Sequence, residues 1–291
     1  MSEKTVPVQG IINVLKPPGM TSHDVITKIR HMYHIKKAGH AGTLDPDAAG
    51  VLPVFLGNAT RLLEYASAER KCYRAEALLG VRTDTGDDSG TPVEEKTAAH
   101  LTRAKLEQVL AQFRGQIMQV PPMYSALKVQ GKKLYEYARQ GQEIVREPRP
   151  IEIFRLQLVA YDPPYFTLDI ECSIAAAADT CACMTFLLRT GAGRYPLAEA
   201  FTLEEIAAAP EKVLLPPETA VAHFPLLAVN PLQAYRITGG VRTTIKGTAE
   251  GTYRLYCGSE FLGLVQAVEE IVQPLKILQQ TVKPAETGTE M

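Results

Sequence analysis

The 291-residue sequence predicts an α+β protein with a mixed, largely antiparallel sheet and a small β-rich C-terminal domain. Three observations carry that reading. Strand-like and helix-like segments follow one another without the regular β-α alternation of a doubly wound sheet. CYRAEALLG and FTLDIECS alternate apolar and polar residues, as half-buried strands do. The character of the chain changes at the proline-rich APEKVLLPPET, near residues 210–225, and strand-like pieces dominate beyond it.

IINVL (11–15) is a short apolar run ending in the turn-rich KPPGMT. Thr21 or Ser22 caps a helix, HDVITKIRHMY, in which Val25, Ile29 and Met32 share a buried face. VLPVFLG reads as a buried strand, with Asn58 capping the following ATRLLEYASA. In CYRAEALLG (72–80), Tyr73, Ala75, Ala77 and Leu79 lie on one face. RTDTGDDSGTP is a loop by composition. Thr102 opens a helix with Leu106, Val109, Leu110 and Phe113 on one face, and Gly115 stops it. KLYEYARQG is a shorter helix ending at Gly141. FTLDIECS (166–173) is a half-buried strand, and Thr202 with Glu205 makes a capping box for TLEEIAAA. Asn230 and Pro231 open a helix closed by Gly239 and Gly240, followed by the strands VRTTI, TYRLYC and FLGLVQAV. The organisation expected is a flexible N-terminus over 1–9, a large domain over 10–225, a β-rich domain over 226–280 and a frayed tail over 281–291.

Composition excludes several classes. A chain with 46% hydrophobic and 22% charged residues is globular rather than disordered. No apolar run is long enough to span a membrane, and MSEKTVPVQG lacks the apolar core of a signal peptide. A cytoplasmic protein is therefore expected. The five cysteines (Cys72, Cys172, Cys181, Cys183, Cys257) are odd in number and scattered, which argues against a disulfide framework. His23, His31, His34 and His40 crowd one stretch, but no Cys or carboxylate pattern completes a tetrahedral metal site. A net charge of −1 gives no global case for a nucleic-acid partner. Residues 121–150 nevertheless hold six basic residues (Lys128, Lys132, Lys133, Arg139, Arg146, Arg149) against three glutamates, interleaved with Tyr124, Tyr135 and Tyr137. Such a stretch suits phosphate contact with base stacking, or a solvated face.

GHAGTLDPDAAGVLP (39–53) is too irregular for a helix. Pro46 biases Asp45 toward an extended conformation. Gly39 and Gly42 permit close approach to the backbone. On these residues alone, Asp45 is either a turn aspartate or a nucleophilic or general-base carboxylate on a rigid loop.

The blocks GIINVLKPPGMTSHDV, AGHAGTLDPDAAGVLPVFLGNATRLLEY, KCYRAEALLGVRTDTGDDSG and FRGQIMQVPPMYSALKVQGKKLYEYARQGQEIVREPRPI resemble, in type and order, the bacterial tRNA pseudouridine-55 synthase family, the TruB type. Weaker agreement runs through RTGAGRYPLAEAFTLEEI. The resemblance covers residues 10–225, which become the catalytic domain, and 226–280 is similar to a PUA RNA-binding domain. It implies the pseudouridine synthase fold and conversion of one uridine in the T-loop of tRNA to pseudouridine. The glycosidic bond to N1 breaks and the base is rejoined through C5, with no cofactor, metal or redox step. It further implies the tRNA T-stem-loop as partner, no membrane, and a monomer.

By motif position, Asp45 of GTLDP is the nucleophile, His40 of GHAG attends the flipped-out nucleotide and Tyr73 of KCYRA stacks on the target base. Leu187 lines the uracil pocket, and Lys16 of KPPG backs the site structurally. Lys132, Lys133 and Arg146 are expected at RNA phosphates. Unstacking a T-loop base is costly, and an aromatic face returns ~1–3 kcal/mol.

One block departs from the family. There a CSKGTYIRT motif follows the strand at 166–173, and its arginine pairs with the catalytic aspartate. Here the chain reads ECSIAAAADTCACMTFLLRT, so Cys172 and Ser173 match, MTFLLRT resumes the match, and the lysine, glycine, tyrosine and arginine between are missing. Either the arginine is lost, which favours a tRNA-binding chaperone without catalysis, or the alanines stand where side chains were not identified. Arg61, Arg189 and Arg194 are available substitutes, and spacing selects none of them.

Overall fold

The apolar runs of the N-terminal region become one end of the main sheet. GIINVLK forms β1 (Gly10–Lys16) and AGVLPVFL forms β3 (Ala49–Leu56), paired antiparallel along their whole length. Between them come α1 (Ser22–Met32) and the short β2 (Ala38–His40), which adds to the far end of β3. The computed structural model describes residues 8–282 apart from Ala68, Pro122, 124–127, Gln130, Arg139, Glu143 and 174–181. Thr21 is the cap of α1, in a capping box with Asp24, and Val25, Ile26 and Ile29 pack onto Ile12, Val14, Leu52 and Val54.

The chain continues through α2 (Leu63–Ser67), β4 (Lys71–Leu79), a hairpin of β5 (Val81–Thr83) and β6 (Pro92–Glu95), and α3 (Arg103–Ala111). Next come β7 (Gly115–Gln119), a second hairpin of β8 (Lys128–Val129) and β9 (Lys132–Lys133), and α4 (Leu134–Ala138). The long strands β10 (Arg149–Asp162), β11 (Tyr165–Cys172) and β12 (Ala182–Ala192) follow, then β13 (Tyr195–Pro196) and α5 (Leu203–Ala208). The main sheet has the order β1-β3-β12-β4-β11-β10-β7. All its neighbours are antiparallel except β3 and β12, which run parallel. This is the expected α+β class. Its consequence for function is that β3, β12 and β4, far apart in sequence, lie side by side.

The C-terminal region opens with β14 (Leu226–Val229) and α6 (Pro231–Thr238), the latter capped by Asn230 as expected. With β15 (Thr243–Thr244), β16 (Gly251–Cys257), β17 (Glu260–Val268) and β18 (Ile271–Ile277) it forms a five-stranded sheet, β14-β16-β17-β18-β15. Ala234, Ile237, Leu255, Leu262 and Val265 make its own core. Phe261, Leu264 and Leu278 instead join a cluster with Ile11, Val51, Phe55 and Leu62.

Several sequence expectations are corrected. Asn58 is not a helix cap: Gly57–Leu62 is a 3-10 helix, and Asn58 Nδ2 donates to Leu278 O at 2.7 Å, across to the C-terminal region. Val109 is exposed, because α3 faces the sheet only with Leu106 and Leu110. Among the described residues KLYEYARQG is helical over Leu134–Ala138, and VRTTI pairs through Thr243–Thr244. β10 escaped notice because bulges at Ile153/Arg155 and Leu158/Ala160 shift its apolar alternation. Residues 1–7, 174–181 and 283–291, which include most of both expected flexible termini and the departing IAAAADT, lie outside the described residues. Among the described residues, no helix is long and apolar enough to cross a membrane.

Candidate active site

Asp45 sits on the loop between β2 and β3, and its neighbours are tied down one by one. Ala41 N–H donates to Pro53 O at 3.0 Å. The carbonyls of Gly42 and Thr43 accept from Arg189 Nη2 and Nη1 at 3.0 and 3.3 Å. Leu44 is held twice by Ser22, whose hydroxyl donates to Leu44 O at 3.0 Å and accepts from Leu44 N–H at 2.9 Å. Beyond Asp45, Lys16 Nζ donates to Pro46 O at 3.0 Å and to Ala48 O at 2.7 Å. Leu44 and Ala48 are buried, whereas Asp45, Pro46 and Asp47 are exposed. The backbone on both sides is fixed, and Asp45 lies between these ties.

The central strands explain how these partners meet. Arg189 of β12 lies opposite Gly50 of β3 and opposite Tyr73 of β4. Gly50 has φ 117°, and a Cβ there would lie 2.3 Å from Arg189 O, so only glycine lets the strands meet. Arg189 Nε donates to Val51 O at 2.7 Å, and the guanidinium lies beside the Tyr73 hydroxyl. Tyr73 packs with Ile153, Phe166 and Cys172, and Leu187 packs against the same cluster. Leu187 pairs with Ala75, one step along from Tyr73 on the same face. His40 lies half-buried at the end of β2, opposite Val54. The structure thus gathers Asp45, Tyr73 and Leu187 around Arg189, with His40 on the strand that leads into the Asp45 loop.

The charges are unevenly matched. Partial desolvation, then repulsion from Asp87, pushes the Asp45 carboxyl above its ordinary range; Asp47 adds to this, while Lys16 and Arg189 pull the other way. The Asp87 carboxylate accepts from the Thr85 and Ser89 hydroxyls at 2.7 and 2.6 Å. Burial lowers Lys16. Lys71, whose Nζ donates to Glu69 O at 2.6 Å, is pushed down to about 8 by burial and then by the Arg189 charge. Burial raises the Tyr73 phenol.

Sequence reading placed Lys16 as a backing residue, which matches its carbonyl contacts, but missed Ser22 and did not single out Arg189. Ser22 looked sufficiently explained as a helix start. Arg189 had a signal: a lone cation inside the apolar strand TFLLRTGA. The basic residues occupy a separate hairpin unit inserted between β7 and β10. Lys132 is exposed, 5.8 Å over the Tyr137 ring, and Lys133 continues β9. Arg146 is half-buried and donates to Pro121 O at 2.9 Å, so part of its guanidinium holds the chain. Among the described residues, no three His, Cys, Asp or Glu side chains are grouped to hold a metal ion.

Residues 30–176 match the family model described as TruB family pseudouridylate synthase, N-terminal domain. The chain is 46% identical over 259 residues to tRNA pseudouridine synthase B of Symbiobacterium thermophilum, covering 84% of this chain and 86% of that protein. It is 42% identical over 285 residues to the protein of that name from Caldanaerobacter subterraneus, covering 93% and 99%. A chain in a solved Cbf5-Nop10-Gar1 complex shares the fold, with a TM-score of 0.69 over 93% of this chain and 85% of that one at 23% identity. The chain belongs to the TruB family of pseudouridylate synthases and is a pseudouridine synthase, an isomerase.

Proposed function

We propose that the protein converts a uridine in the T-loop of tRNA to pseudouridine, with Asp45 as nucleophile. The observation that carries this reading is the presentation of Asp45. Asp45 is an exposed residue with a partly desolvated carboxyl, and the backbone on both sides of it is fixed by Ser22, Lys16 and Arg189. Such preorganisation suits a group that must meet a substrate atom in one geometry.

The target base leaves its stack and enters beside Tyr73, whose ring receives it and whose hydroxyl lies next to Arg189. Leu187 forms an apolar wall, and His40 flanks the flipped nucleotide. Asp45, ionised, attacks the base or the sugar. The bond between N1 and C1′ breaks, the base turns, C5 bonds to C1′, and the bond to Asp45 breaks to restore the carboxylate. The C5 hydrogen leaves as a proton and N1 gains one, so the change is redox-neutral. Lys132, Lys133 and Arg146 contact phosphates from the hairpin unit, and the C-terminal sheet serves as a PUA-like RNA contact. A tRNA substrate places the reaction in the cytoplasm.

The test is tritium release from tRNA labelled at uridine C5. Asp45→Ala is expected to lower the rate by on the order of 10⁴-fold or more. Substantial turnover by that variant would refute the assignment. Wild-type protein that binds tRNA but forms no pseudouridine would favour the chaperone reading, which the absent CSKGTYIRT arginine motivates.

A further inference from the structure

Arg189 is 1% exposed, and among the described residues neither it nor Asp45 belongs to an ion pair. A buried guanidinium without a paired carboxylate weakens a fold. Three of its donors go to carbonyls instead: Gly42 and Thr43 just before Asp45, and Val51 just after the loop enters β3. Gly42 adopts φ 98°, a conformation that favours glycine, and a Cβ there would be in ordinary contact with Arg189 Nη1. The guanidinium also meets the Tyr73 hydroxyl.

We propose that Arg189 is the positioning cation of this active site, clamping the two ends of the Asp45 loop by their carbonyls and, together with Lys16, placing positive charge beside the carboxylate. It acts from the middle of a strand and through the backbone carbonyls rather than through a side-chain ion pair. The proposal rests on the reading of Asp45 as nucleophile. The groups facing Asp45 are Lys16 from β1, Asp47 of its own loop, Asp87 from the loop between β5 and β6, Tyr73 from β4 and Arg189 from β12. Lys71 on β4 faces Arg189 in turn. Two carboxylates therefore oppose ionisation of Asp45, and two cations, Lys16 and Arg189, support it.

The test uses full-length Arg189→Gln and Arg189→Lys, with folding checked by circular dichroism and thermal unfolding. The Asp45 carboxyl is titrated by ¹³C NMR, and kcat and KM on tRNA are followed against pH. With Gln, the Asp45 titration and the acid limb of kcat are expected to move to higher pH. With Lys, which keeps the charge but loses the fork, the titration is expected to stay near wild type while kcat falls about 10- to 100-fold, more than KM rises. A Gln variant that titrates as wild type, or a Lys variant with full kcat, would overturn the proposal. If Gln fails to fold, the Lys variant decides. The NMR titration needs no turnover, so a wild-type protein without activity would count against the proposed function and leave the role of Arg189 to the titration.

Discussion

Single residues set the local energetics around the Asp45 loop, and two can be isolated by experiment. Gly50 permits the contact of β3 with β12 only because it has no Cβ. Gly50→Ala should cost about 2–4 kcal/mol in urea unfolding, from backbone strain plus the clash with Arg189 O; a neutral effect would contradict the close approach. Lys71 carries its charge only below about 8 in the folded protein, whereas the ordinary value is 10.5. Between those values the unfolded chain binds the extra proton, so stability rises with pH across that window, by up to about 3 kcal/mol from this residue. Lys71→Met should lose that rise when unfolding is compared below pH 8 and at about pH 10. Asp45, Tyr73 and Leu187 were singled out in the sequence through their motifs, and the structure places Tyr73 and Leu187 in one cluster. Arg189 was not selected, because its partners are carbonyls on β3 and its loop, which no side-chain pattern records.

At the level of elements, what determines the site is strand order. Every helix with a clear cap was legible: Thr21 with Asp24, Thr102, Thr202 with Glu205, and Asn230 with Gln233 all cap as their side chains suggest. Strands were less legible where bulges break the alternation, as in β10, or where the strand is only two residues long, as in β15. The parallel meeting of β3 with β12 is a long-range pairing with no local signature, and it is what brings Arg189 to Asp45. The hairpin β8–β9 carries Lys132 exposed beside Tyr137. If it contacts RNA phosphate, Lys132→Ala should flatten the plot of log affinity for tRNA against log salt by about one unit of slope. An unchanged slope would remove Lys132 from the interface.

For the whole molecule, the C-terminal sheet shares a core cluster with the main sheet and should unfold with it. Phe261, Leu264 and Leu278 complete the cluster around Ile11, Val51 and Phe55, and Asn58 bonds Leu278 O across the junction. Leu264→Ala should cost about 2–5 kcal/mol and raise amide exchange in β1 and β3 as well as in β17. Exchange confined to the C-terminal sheet would show that the two halves unfold independently. Composition alone suggested two regions divided near residue 225, but it could not show that their apolar faces join, since apolar residues carry no label for the partner they cover. The central claim is that Asp45, aimed by this scaffold, isomerises one uridine of tRNA. The most direct measurement is pseudouridine mapping of a tRNA transcript after incubation with wild-type protein and with Asp45→Ala. A single new pseudouridine at the T-loop uridine with wild type, and none with the variant, is the expected result; modification at that site by the variant, or none there by wild type, would contradict it.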